Sequence, residues 1–334
     1  MTALGLLNGF VGRIGAQKGR DSLVLIGTTI ASNLLRIAST MAMTRLLAPD
    51  VFGLVGIINT IFFIVTMLTD LGFQAYVVRH ADGDDRRFLD VIWTIHAGRG
   101  AALALISAAL ALPLAHLLAK PELVLPLAVA SIIFFINGVA SLSLITALRT
   151  HQVRKLCYLD LGVLVFQTII AVVAAALLHD VWSIIVAMIM AAILRAVLSY
   201  SLFPGSGSGI AIDKAIQKDF WAFSRFIMGS SLLTLLIAQT DKIVLARIFS
   251  LDRFGLYVIA TTLASVPLAF VGSYASRILY PRYASVFREA PDRLPSIYYA
   301  GRRTMSLLYS FAAGGLIGCA PLVVRLLYDD RYVG

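Results

Sequence analysis

The sequence predicts an all-α polytopic membrane protein, and three observations carry that prediction. Of 334 residues, 59% are apolar and 14% are charged, against about 25% charged in a typical soluble domain. Mean hydropathy is +0.88. The apolar residues gather in runs of about 20, the length of a bilayer-crossing helix rather than of a short alternating barrel strand. The same figures exclude a soluble, disordered or disulfide-built chain, because a soluble protein of this length needs far more polar surface to cover its core.

Nine segments are long enough to span, at roughly 22–45, 52–78, 91–118, 123–147, 157–178, 181–203, 220–247, 254–279 and 303–327. The first follows a basic segment, Met1 to Arg20, that runs into a full-length span without a small-residue cleavage site, so it reads as uncleaved. Pro49-Asp50 separates the first two spans, and Lys120-Pro121-Glu122 separates the third and fourth. Basic clusters around Arg79–Arg87 and Arg149–Lys155 break the second from the third and the fourth from the fifth. Gly205-Ser206-Gly207-Ser208-Gly209 after the sixth span is linker-like and lacks the Lys-Ser/Thr of a nucleotide loop. The expected division is a six-helix unit over 1–204, a cytoplasmic linker over 205–219 and a three-span unit over 220–334.

Net charge is +10, which in a soluble protein would suggest nucleic acid. Here the positive-inside rule accounts for it, and no nucleic acid is expected. Loops on the N-terminal side hold seventeen Lys and Arg, against six on the opposite side, which places the N-terminus in the cytoplasm. Cys157 and Cys319 have no metal-type spacing and read as ordinary thiols. The sequence contains no phosphate-cradling loop, no His/Cys cluster and no Ser-His-Asp set, so no cofactor and no enzyme activity are expected.

An internal repeat organises the chain. Arg45-Leu-Leu-Ala-Pro-Asp50-Val-Phe52-Gly53-Leu54 recurs as Arg247-Ile-Phe-Ser-Leu-Asp252-Arg-Phe254-Gly255-Leu256, at an offset of 202 residues. Both copies lie at the outer turn between the first two spans of a half. Six spans separate the halves, so they are parallel repeats, as in several secondary transporters. The second half holds three spans against six, and the chain reads as a C-terminally shortened version of a longer protein. The alternative is a short protein that completes its fold with a partner.

Thr44 to Gly53, then Asp70-Leu-Gly-Phe73 and Val77-Val-Arg79, resemble the start of Wzx-type polysaccharide flippases. Gln239-Thr-Asp241-Lys242, followed by Phe254-Gly-Leu-Tyr257, resembles the first span and turn of their second half; Leu327 to Gly334 resembles the lead into a tenth span. The resemblance implies the multidrug/oligosaccharidyl-lipid/polysaccharide superfamily, with two helical lobes around a central cavity. It also implies a lipid-linked oligosaccharide as cargo, moved from the inner to the outer leaflet of a bacterial inner membrane. A polysaccharide polymerase and export machinery are the implied partners. Two rivals are a multidrug efflux antiporter of the same superfamily, and an inactive fragment. A glycosyltransferase or polymerase would need a sizeable outer loop.

Ionisable groups inside spans are costly and face a cavity or a partner. Arg36, Arg99, Arg195, Arg225 and Lys242 remain after the loop count, and Asp70 and Asp241 are the acids counted with them. That cationic excess suits an anionic cargo, because guanidinium presents a planar fork of donors to phosphate. Arg36 leads: Thr29, Asn33, Arg36 and Thr40 fall on one helix face. Such a stripe is either a cavity wall or a structural Arg held between helices. Lys242 aligns with Thr40 through the repeat and either faces the cavity or snorkels outward. Arg195 and Arg225 either line an inner mouth or snorkel to lipid heads. Asp70 and Arg99 are expected to pair as a gate or a structural bridge with His96 nearby, and Asp241 to pair with a neighbouring helix.

Overall fold

The computed structural model describes residues 24, 27–80, 82–83, 85–149, 152–203, 209–275, 279, 283, 286 and 291–327. The basic segment Met1–Arg20, linker residues 205–208, the basic residues Arg277, Arg282 and Arg288, and the closing segment from Tyr328 lie outside the described residues. The described chain is helical throughout. It comprises α1 (27–46), α2 (Pro49–Leu68), α3 (Phe73–Arg79), α4 (Arg86–Leu118), α5 (Val124–Ala130), α6 (Ile132–Val139), α7 (Ser143–Arg149), α8 (Val153–Leu178), α9 (Trp182–Ser201), α10 (Lys214–Ile248), α11 (Leu251–Tyr274) and α12 (Leu294–Leu327).

Side-chain caps and prolines set the starts. Pro49 opens α2, where its missing N–H costs nothing. The Asp85 carboxylate accepts from Phe88 N at 2.9 Å at the start of α4, and Asp213 does the same for α10 through Ala215 N at 2.9 Å. Because Asp213 is the N-cap, α10 begins six residues before the expected 220 and takes up part of the expected linker.

Two expected spans are interrupted. The span expected over 52–78 stops at Leu68 and resumes as α3. Gly72 adopts φ +66°, and its N–H donates to Asp70 Oδ1 at 3.0 Å, which turns the chain between the two helices. The span expected over 123–147 is divided among α5, α6 and α7. Its last break is held by serines: Ser199 Oγ accepts from Ser141 N at 3.0 Å, and Ser143 Oγ donates to Ser199 O at 2.5 Å. Six stretches among the described residues are long and apolar enough to cross a bilayer: Pro49–Leu68, Arg86–Leu118, Pro121–Val139, Arg154–Leu178, Trp182–Ser201 and Lys214–Ile237. Their outward side chains stay apolar; Leu177 is 76% and Ile237 is 87% exposed, the surface that lipid solvates and water does not.

Packing concentrates at two ends. At the end bearing the Arg45 and Arg247 turns, Leu47, Ile57, Ile58, Leu127, Ala175, Ile185 and Phe254 form one buried cluster. At the opposite end Val77, Phe88, Ile92, Leu142 and Phe220 form another. Helix α11 packs along α2, α8 along α9, α4 along α6, and α10 along α2.

The two repeat copies meet where α2 crosses α11. A Cβ on Gly53 would fall on the Leu251 carbonyl oxygen, and a Cβ on Gly255 would fall on the Pro49 carbonyl oxygen. Only glycine permits that approach.

Candidate functional site

Between the two packed ends lies a polar cavity in two parts. The first, about 510 Å³, is lined by Thr28, Thr29, Ser32, Asn33 and Arg36 of α1, by Cys157, Asp160, Val163, Leu164 and Gln167 of α8, and by Arg195 of α9. The second, about 400 Å³, takes Arg36, Ser39, Thr40 and Met43 of α1, Phe52, Val55, Gly56 and Asn59 of α2, and Gln167 and Thr168 of α8, with Val258, Ile259 and Thr262 of α11 across from them. Arg36, Leu164 and Gln167 line both, so the two chambers adjoin with these three side chains between them. The α2–α11 contact lies beside the second chamber and shuts it toward the Arg45/Arg247 end.

The stripe expected on the first span is therefore assembled: Thr29, Asn33, Arg36 and Thr40 all face this space. Helical periodicity is what aligns them. Thr40 Oγ1 donates back to Arg36 O at 2.9 Å, which leaves the hydroxyl oxygen open as an acceptor. Arg195 joins from α9 and donates Nη1–H to Asp160 Oδ1 at 2.7 Å. Asp160 is an acid the charge count omits. The helical spacing Cys157, Asp160, Leu164, Gln167 would have placed it on the cavity face of the fifth span, because i, i+3, i+7 and i+10 share one side.

Other expected members are elsewhere. Arg225 is exposed, with its guanidinium 4.9 Å from the Phe226 ring centre, and lines neither chamber. Its neighbour Ser224 explains the orientation. Ser224 is buried and donates to Leu71 O at 2.8 Å, so the adjacent position turns outward. Lys242 is half-buried and also lines neither chamber. Asp241 accepts from Tyr257 Oη at 2.5 Å, a pair with the neighbouring helix as expected.

The direct Asp70–Arg99 bridge is corrected. Arg99 instead donates Nε–H to Thr69 O at 2.8 Å, and Nη2–H to Thr66 O at 3.2 Å and Thr69 Oγ1 at 3.0 Å. These carbonyls end α2, where the helix dipole is negative and a cation is favoured. Asp70 accepts from Gly72 N at 3.0 Å and from Ser231 Oγ at 2.8 Å, and its charge still acts on Arg99 without a direct contact. His96 is engaged through Nδ1 with Gly138 O at 2.9 Å and stays out of the pair.

A larger cavity of about 790 Å³ lies between α11 and α12, walled mainly by Leu268, Val271, Leu279, Met305 and the rings of Tyr283, Tyr298 and Tyr309, with Arg302 among them. It contains none of the expected site residues. Its walls are apolar, whereas the α1–α8–α9 space offers hydroxyls, amides and two guanidiniums, so the latter is the candidate site. Among the described residues no cluster of His, Cys, Asp and Glu is arranged to hold a metal ion.

Apolar helices of spanning length around a polar cavity define a polytopic membrane protein. The chain belongs to the family described as polysaccharide biosynthesis protein, whose pattern matches residues 42–334. Among curated relatives it is 24% identical over 305 residues to the succinoglycan biosynthesis transport protein ExoT of Rhizobium meliloti (strain 1021), covering 89% of this chain and 60% of that one. It is 20% identical over 275 residues to the teichuronic acid biosynthesis protein TuaB of Bacillus subtilis (strain 168), covering 80% and 55%. The chain thus spans about three-fifths of the length of the curated relatives it matches. No solved structure matches it significantly.

Proposed function

We propose that this protein carries a polyprenyl-pyrophosphate-linked oligosaccharide from the inner to the outer leaflet of a bacterial cytoplasmic membrane. The observation that supports this reading is the pair of adjoining chambers along α1, with Arg36 lining both and α2 packed on α11 beside the second. Family membership supports a polysaccharide cargo. With the N-terminus cytoplasmic, the shut end faces outward and the structure is the inward-open state. The glycan occupies the polar chambers, Arg36 and Arg195 neutralise the pyrophosphate, and the lipid tail stays in the bilayer. Rocking of the two halves then opens the α2–α11 contact and closes the inner side.

The test is a leaflet-transfer assay in proteoliposomes, using a short-chain pyrophosphate-linked sugar lipid and reading its fraction accessible from outside. The wild type should transfer it, and Arg36→Ala should slow transfer at least tenfold while inserting normally. Equal rates in the two would overturn the cavity assignment, and no transfer by the wild type would overturn the transport reading.

A further inference from the structure

We propose that Asp160 is a resident counter-ion for Arg195, displaced when an anionic cargo enters the cavity, and that this exchange selects cargo by charge. The inference rests on the pyrophosphate reading above and adds the residue that sets its selectivity.

The pair joins neighbouring helices of one half, α8 and α9, through a single contact of 2.7 Å. Taking an ion pair out of water costs desolvation that its attraction seldom repays. This one stands open instead: the side chains are 40% exposed for Arg195 and 54% for Asp160, and both line the 510 Å³ chamber. Open ion pairs are weak and cost little to break. One guanidinium N–H is committed to Asp160 in that contact, and guanidinium has five.

The charges then decide the outcome. Arg36 and Arg195 bring two positive charges to the chamber and Asp160 brings one negative. A pyrophosphate diester carries two negative charges, so it matches both guanidiniums only when the carboxylate yields Arg195. A neutral sugar lipid has nothing to offer in exchange and leaves the pair intact. A phosphate diester, with one charge, can satisfy Arg36 alone. Asp160 is therefore a threshold against under-charged cargo. It also stays beside the bound anion as a like charge, which weakens binding and favours release.

The experiment measures equilibrium binding to the full chain in nanodiscs. The probes are farnesyl-pyrophosphoryl-N-acetylglucosamine and farnesyl-phosphoryl-N-acetylglucosamine. Asp160→Asn should tighten the pyrophosphate probe two- to fivefold and the monophosphate probe by more, because the second guanidinium is now free for it. Arg195→Gln should weaken the pyrophosphate probe, and Asp160→Asn should gain less in the Arg195→Gln background than in the wild type, because only the like-charge repulsion is then left to remove. Asp160→Glu should stay near wild type. If Asp160→Asn does not fold, Asp160→Ser carries the same expectation.

Weaker or unchanged binding in Asp160→Asn or its stand-in Asp160→Ser, with Arg195→Gln still weakening it, would overturn the proposal and leave the cargo reading standing. Unchanged binding in Arg36→Gln, Arg195→Gln and Asp160→Asn together, or no binding by the wild type, would overturn both.

Discussion

Alanine at Gly53 or Gly255 should loosen the contact that shuts the cavity. A Cβ at position 53 would lie on the Leu251 carbonyl oxygen, 2.9 Å from its carbon and 3.2 Å from Gly255 N. At position 255 it would lie on the Pro49 carbonyl oxygen and 2.9 Å from Gly53 N. Ordinary contacts between carbon atoms need about 3.5–4.0 Å, so α2 and α11 must part by roughly 1 Å. No rotamer relieves this, because the obstacles are backbone. Overpacking of this kind costs about 1–3 kcal/mol, offset by the ~1 kcal/mol that alanine gains over glycine inside a helix. The net loss should be up to about 2 kcal/mol for either variant, against the gain expected where the methyl meets nothing. The double variant should lose less than the sum, because both methyls open one gap.

Gly98→Ala and Gly162→Ala are the controls. A Cβ at either position meets nothing within 4 Å, so each should raise stability by up to ~1 kcal/mol. Thermal unfolding in nanodiscs, followed by far-ultraviolet circular dichroism, reads all five. The reasoning is refuted if Gly53→Ala and Gly255→Ala move the midpoint upward with the controls.

Arg99→Gln should destabilise the chain by about 2 kcal/mol, since hydrogen bonds from a charged donor contribute ~1.5–3 kcal/mol and Arg99 supplies them to the carbonyl end of α2; the same unfolding measurement checks it, and Asp70→Asn should cost less because Asp70 is not its partner. Tyr76→Phe removes the phenol donor to Asp219 at 2.6 Å but leaves the ring packed on Phe88, Phe220 and Phe223, so the loss should be about 1 kcal/mol, read as a lowered denaturation midpoint.

Composition and periodicity were enough for the fold class and for the Arg36 stripe, because both depend on local spacing. Four positions on one face of one helix must point the same way wherever that helix packs. What was not legible depends on partners distant in the chain. The break after Leu68 has a local signal in Thr69-Asp70-Leu71-Gly72, but the partner that meets the freed carbonyls, Arg99 of α4, is thirty residues away. Equal depth suggested that Asp70 and Arg99 would bridge. Depth says nothing of which group a helix end offers first, and unsatisfied carbonyls at the end of α2 claimed the guanidinium. Asp160 lies only five residues past the basic pair Arg154-Lys155, so depth alone does not single it out; its place on the face of Gln167 does.

The repeat carries helix packing from one half to the other, and Lys242 shows that it does not carry the cavity: its counterpart Thr40 lines the second chamber and Lys242 does not. The offset of 202 pairs Pro49 with Leu251 and Gly53 with Gly255. In the structure Gly53 presses on Leu251 while Gly255 presses on Pro49, a reciprocal contact that a local two-fold requires. Gly56 pairs with Val258 by the same offset, and these two also touch, so the axis passes between them. There the symmetry is broken by size: the Val258 side chain fills the space that Gly56 leaves. Two valines would collide and two glycines would leave a void. The polar stripe follows the opposite rule. Thr29 corresponds to Ser231, but Asn33 and Arg36 correspond to Leu235 and Ala238. The second copy keeps the glycine that closes the cavity and has no counterpart to the amide and guanidinium that line it. Alignment through the repeat therefore transmits helix packing faithfully and cavity chemistry poorly. The cavity's guanidiniums, Arg36 and Arg195, lie in α1 and α9 of the first half, and α11 of the second half supplies a wall of the second chamber.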